Sequence, residues 1–201
     1  MSADTRPLRG KNGIYRIVVH GNSGTGKSTM AKQLGDVLRV PAIHLDTLHW
    51  RPGWVEAPND EMIKDLAEKL DQAARDGTGW VVDGNYESCI GRMTDSAATD
   101  IIWLDPPFYQ YFPRIVIRTF RRLLGIEESC AAGCEESWRE CFFSSKSILW
   151  WCITHHSISK TRYQERWRVD QASQEGKWQR LGGFDEGAAW LDAVKGHVKS
   201  S

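Results

Sequence analysis

A chain of 201 residues, 41% hydrophobic and 26% charged, is long enough to bury a sizeable core and has the composition of an ordinary globular domain. Its 26 Lys+Arg balance 26 Asp+Glu, so a net charge of zero excludes a global pull toward nucleic acid or an anionic membrane and leaves any basic function local. The polar start "MSADTRPLRGKNG", five cysteines and a longest apolar run of only residues 148–153 lead to the expectation of a cytoplasmic protein with reduced thiols and no membrane span.

The first predicted elements lie in "YRIVVHGNSGTGKSTMAKQLG", residues 15–35. Tyr15, Ile17, Val18 and Val19 make a β-branched and aromatic run suited to a buried strand, and Ala31, Leu34, Val37 and Leu38 then recur at helical spacing. Between them Gly21, Gly26, Lys27 and Ser28 fit G-x-x-x-x-G-K-[ST]. Glycines in that pattern let successive backbone N–H groups curl around phosphates while the helix turns its positive end toward them. The expected cradle is Gly21, Asn22, Ser23, Gly24, Thr25, Gly26, Lys27, Ser28 and Thr29. Lys27 can reach the β- and γ-phosphates of a nucleoside triphosphate, and Ser28 can hold Mg²⁺.

Next, "RVPAIHLD" predicts a short strand ending at Asp46, followed by the loop "TLHWRPGWVEAP". Pro58 and Asn59 start a helix whose apolar stripe is Met62, Ile63, Leu66, Leu70 and Ala73. "GWVVDGNY" and "DIIWLDPP" read as third and fourth strands, continuous apolar runs of the kind a buried parallel sheet needs. A weaker fifth strand, "KWQRLGG", precedes a terminal helix over 185–197. Strands alternating with helices predict an α/β fold with a doubly wound, mainly parallel five-stranded sheet. Ligands bind outside the carboxyl ends of such strands, where Asp46, Asp83 and Asp105 would share a rim with the phosphate loop. Aspartate is also a common turn residue, so each alone has a bland explanation.

Residues 108–168 do not read as sheet. Arg114, Arg118, Arg121 and Arg122 share one face of a predicted helix, with Val116, Phe120, Leu123 and Leu124 opposite. Like charges at that spacing repel, which points to an anionic partner. "SKTRYQERWR" adds Lys160, Arg162, Arg166 and Arg168, and the segment reads as an arginine-rich helical lid inserted in a single domain, 1–201. Its Cys130, Cys134, Cys141 and Cys152 contain no C-x-x-C pair, so inert thiols are expected rather than zinc; the adjacent His155 and His156 suggest surface or acceptor contacts.

At these residues the chain resembles P-loop kinases of the adenylate-kinase type, and more closely the bacterial DNA topology modulation proteins. The matching pieces are "GNSGTGKST", "HLDTLHWRPGW", "VVDGNY", "IIWLDPP", the arginine-rich helix and "GCEE", spanning about residues 15–165. The resemblance implies a P-loop NTPase fold, Asp83 holding Mg²⁺ with Ser28, and Asp46 binding or deprotonating an acceptor hydroxyl. It also implies that Arg118, Arg121, Arg122 and Arg162 close on the phosphates. Where adenylate kinases continue D-G-F-P-R, this chain has Asp83-Gly84-Asn85-Tyr86, so the acceptor arginine is missing there; Arg51 or Arg92 would have to replace it.

These readings lead to the expectation of an ATP- and Mg²⁺-dependent phosphotransferase acting on a small molecule or nucleotide. Lys27, Asp46, Asp83 and the lid arginines would do the chemistry, with Asp46, Trp50, Arg51, Trp54, Asn85, Tyr86 and Arg92 around the acceptor. The alternatives are a nucleotide-dependent regulatory or DNA-associated binding protein, or an ATPase without acceptor. Zero net charge speaks against nucleic acid as a partner.

Overall fold

The structure, a computed structural model, describes residues 8–10, 14–90, 92–138, 141, 147–173 and 176–200. Parts of the expected lid, at 139–140 and 142–146, lie outside the described residues.

In chain order the elements begin with β1 (Arg16–Gly21), α1 (Lys27–Leu38), β2 (Ala42–His44) and α2 (Leu45–His49). A two-stranded hairpin, β3 (Trp50–Arg51) with β4 (Val55–Glu56), precedes α3 (Asn59–Arg75), β5 (Trp80–Asp83), α4 (Glu87–Ile90) and α5 (Met93–Ala97). Then come β6 (Asp100–Leu104), α6 (Phe108–Leu123), α7 (Ile148–Ala172), β7 (Trp178–Leu181) and α8 (Phe184–Ser200). The "TLHWRPGWVEAP" stretch, expected to be a loop, holds the short helix α2 and the hairpin instead. Gly53 and Trp54 turn the hairpin with φ of 77° and 59°, a sharp reversal that no hydrophobic period announces.

Five strands form one sheet in the order β2-β5-β1-β6-β7, all neighbours parallel. β1 is central, so its carboxyl end faces the point where the strand order reverses. Alternate side chains along β1 point to opposite faces. Ile17 and Val19 pack under α1 and α8 with Leu34, Leu38, Trp190 and Leu191. Val18 packs with Met62 and Leu66 of α3, Trp103 of β6 and Tyr163 of α7. The doubly wound sheet expected from the alternating pattern is therefore present, with helices on both faces and every carboxyl end on one rim. Two rim aspartates differ from expectation in detail. Asp46 is in the first turn of α2, beyond β2, and Asp105 is held by Arg180 of β7 (Nη2 to Oδ2, 2.6 Å) with Lys160 Nζ at 3.8 Å.

Candidate active site

β1 ends at Gly21 and α1 starts at Lys27, with the glycine loop between. Gly26, at φ 92°, occupies the N-cap without any side-chain cap, so the first-turn N–H groups of a 12-residue helix are left facing the loop. Such an end is the donor set and partial positive charge that a phosphate requires. Lys27 folds back over the loop, its Nζ donating to the Asn22 carbonyl at 3.0 Å. Burial pushes its pKa down, opposed by the charges of Asp46 and Asp83. Asn22 is the loop's link to the helices above it: its Nδ2 donates to the Tyr111 hydroxyl at 2.9 Å, and Tyr111 lies 2.6 Å from His156 Nδ1. Thus α6 and α7 both reach the loop through one asparagine, and His156 faces this network. Cys152, fully buried beside it, has its thiol pKa pushed up to about 11 by burial and stays a protonated thiol.

Ser28 Oγ donates to Asp83 Oδ2 at 2.7 Å, which brings together the two residues expected to hold a metal. Both offer oxygen, the donor type Mg²⁺ prefers. The second Asp83 oxygen is bound by His44 Nδ1, and this hydrogen bond raises the histidine pKa. His44 was not singled out in the sequence. β2 pairs with β5 so that His44 stands directly beside Asp83, a register invisible without the sheet.

Across the cleft, the Tyr86 hydroxyl donates to Asp46 Oδ1 at 2.7 Å. The His49 ring lies 4.4 Å from Tyr86 and 4.6 Å from Trp50, and Trp50 meets Trp54 edge to face at 5.4 Å. Asn85 Nδ2 donates to the Gly21 carbonyl at 2.6 Å, so it braces the start of the phosphate loop. Arg51 pairs with Glu61 on the surface, and Arg92 is exposed; neither is brought to Asp46.

The arginines divide. Arg118 Nη2 donates to Ser23 Oγ of the phosphate loop at 3.3 Å, and Arg122 Nη1 stands 3.3 Å from Glu136 Oε1. Among the described residues the Nε of each is buried without a hydrogen-bond partner. Burial, then the neighbouring Arg122, lowers the Arg118 pKa. Two neighbouring guanidiniums with one carboxylate between their charges leave positive charge that an anion could balance. Arg121, in contrast, is exposed and pairs with Glu127 at 3.3 Å, and Arg162 is exposed on α7; neither reaches the loop. Arg166 is bound on the far side of the sheet by Glu87 (Nη2 to Oε2, 2.7 Å).

One cleft was not anticipated. A cavity of about 220 Å³ beside the phosphate loop is lined by Thr29, Gln33, Arg114, Gly183, Phe184 and Leu191, among others. The Arg114 guanidinium lies 4.3 Å above the Phe184 ring, a cation–π contact at its mouth. The usable signal was "LGGF": paired glycines and an aromatic just past the last strand, on the rim.

No protein-family model matches this chain, and no curated protein matches it. Among solved structures it is similar to a putative kinase from Chloroflexus aurantiacus J-10-fl, with 15% identity, TM-score 0.51, and 92% of this chain and 99% of that one covered. It is also similar to a gluconokinase from Sinorhizobium meliloti 1021 (16% identity, TM-score 0.47, 97% and 94% covered). A sugar kinase from Janibacter sp. HTCC2649 aligns at 22% identity and TM-score 0.39 over 51% of this chain and 66% of its own. The first of these likenesses extends over nearly the whole of both chains and bears on fold alone: an α/β fold with a five-stranded parallel sheet.

Proposed function

We propose that the chain is an ATP- and Mg²⁺-dependent phosphotransferase acting on a small-molecule or nucleotide acceptor. The observation that carries this reading is the uncapped start of α1 with Lys27 above it, flanked by the Ser28–Asp83 pair on one side and the Asp46 carboxylate on the other. The loop and Lys27 would hold the triphosphate, and Ser28 and Asp83 would hold Mg²⁺, which would supply neutralisation of the phosphate charge. Arg118, backed by Arg122, is placed to add to that neutralisation, and the Arg114–Phe184 cleft is the surface available to the base of the nucleotide. Arg118 reaches the loop and Arg122 is held by Glu136 rather than facing outward, which favours a ligand on the loop over a nucleic acid outside it. Kinship with the DNA topology modulation proteins rests on the sequence motifs alone.

The test is calorimetric titration with Mg·ATP and an assay of ADP release. Lys27→Ala and Ser28→Ala should bind ATP at least about tenfold more weakly at unchanged melting temperature, because both side chains serve the loop and not the core. Unaltered affinity in both variants would refute the phosphate-loop reading.

A further inference from the structure

Asp46 is held by an aromatic residue. Tyr86 donates its hydroxyl hydrogen to Asp46 Oδ1 at 2.7 Å. The direction is forced, since an ionised carboxylate only accepts. Tyr86 is anchored by its ring against His49 and by the core beneath the sheet. Burial, then the nearby Asp46 charge, pushes its pKa far above the ordinary tyrosine value, so it remains a donor. Asp46 Oδ2 accepts no hydrogen bond among the described residues, and the carboxylate lies within the field of both Lys27 and Arg118. One oxygen is therefore held and the other is free to accept a hydrogen.

Resting on the phosphotransferase reading, we propose that Tyr86 is a positioning residue that holds Asp46 so that Oδ2 can meet an acceptor hydroxyl, and that the acceptor is a small alcohol rather than a nucleoside monophosphate. As the alcohol oxygen bonds to the γ-phosphorus, the bond from that phosphorus to the bridging oxygen breaks and its electron pair leaves with ADP. The alcohol proton passes to Asp46 Oδ2. A nucleoside monophosphate has no use for such a base, because its phosphate, with a second pKa near 6, is mostly without a proton to give at neutral pH. Its negative charge would also stand against Asp46. The rings of Trp50 and Trp54 supply apolar surface for a carbon skeleton, as a sugar or polyol presents.

The experiment measures ADP release from Mg·ATP by the full chain with two probe sets: glycerol, erythritol, ribose, glucose, sorbitol and inositol, then AMP, GMP, CMP and UMP. At least one alcohol should raise the rate about tenfold or more above hydrolysis, and no monophosphate should. With that alcohol, Tyr86→Phe should lower kcat about 30-fold while KM for ATP stays within about twofold. Stimulation by a monophosphate, or silence across the alcohols, overturns the acceptor class. Unchanged kcat in Tyr86→Phe overturns the positioning role, and Tyr86→Met carries that test if the first variant fails to fold. Failure of the phosphotransferase reading is recognised separately, by Mg·ATP binding that survives in Lys27→Ala.

Discussion

Gly24 is the residue at which the phosphate loop and the helix above it meet. Its φ of 81° already disfavours any side chain, and a Cβ there would lie 2.3 Å from Ile115 Cγ1, a fully buried atom of α6. Because the obstacle is a packed core side chain, it cannot swing away without moving the helix. Gly24→Ala should cost about 2 kcal/mol and lower the urea midpoint, and a second-site Ile115→Ala should recover part of the loss. No recovery would mean that the strain is purely backbone. This pairing illustrates what a single residue's place in the sequence conceals. The glycine's need for positive φ was legible in the loop pattern, whereas its contact with Ile115 spans more than ninety residues of chain. Ser28 and Asp83 were likewise legible, each within its own motif. His44 was not, since only strand register puts it beside Asp83.

Among elements, α6 departs furthest from its sequence pattern. The expected apolar face was Val116, Phe120, Leu123 and Leu124, yet the helix buries Tyr111, Ile115 and Thr119 while Ile117, Phe120 and Leu124 are exposed. Periodicity assumes that apolar residues face in. Here the inward side crosses a phosphate loop, and Arg118 and Arg122 take part of it. α7 shows the converse, with a basic stretch partly used as an anchor. Arg166 grips Glu87 and lies 3.5 Å from Asp95, which also pairs with His20 at 2.9 Å, while Tyr163 stacks on His20 at 4.9 Å. His20, Glu87 and Asp95 could by spacing hold a cation, but Arg166 already brings the positive charge among them. Removing it leaves two largely buried carboxylates unbalanced. Arg166→Ala should therefore cost about 3 kcal/mol by chemical denaturation. Pairing it with Glu87→Gln should restore a good part of that, as an additive pair of surface charges would not.

At the scale of the whole molecule, the five-stranded parallel sheet and both helical layers followed from alternating strand and helix patterns, because buried parallel strands announce themselves as continuous apolar runs. The coupling across the rim was not legible, since its hairpin contacts end on backbone carbonyls that carry no residue identity. Gly53 N–H donates to the Gly133 carbonyl at 2.8 Å, Trp54 Nε1 donates to the Glu135 carbonyl at 2.8 Å, and Cys134 Sγ lies 3.1 Å from the Arg51 carbonyl. The β3–β4 hairpin and the 131–135 segment are latched together; next to it Glu136 holds Arg122, and Arg118, one turn earlier on α6, reaches Ser23 of the phosphate loop. The proposed lid thus has two unequal parts. α6 and the latch meet the site through polar contacts that an anion on the loop would strengthen. The end of α7 is bound to the sheet through Tyr163, Arg166 and Asp170, the last accepting from the Lys177 and Trp178 N–H groups, and none of these contacts involves the loop. Hydrogen exchange should consequently slow on addition of Mg·ATP across 114–124 and 131–136, and remain unchanged across 163–172. Equal slowing in both regions would show that 108–168 closes as one body, and no slowing in α6 would leave its arginines a fixed part of the wall.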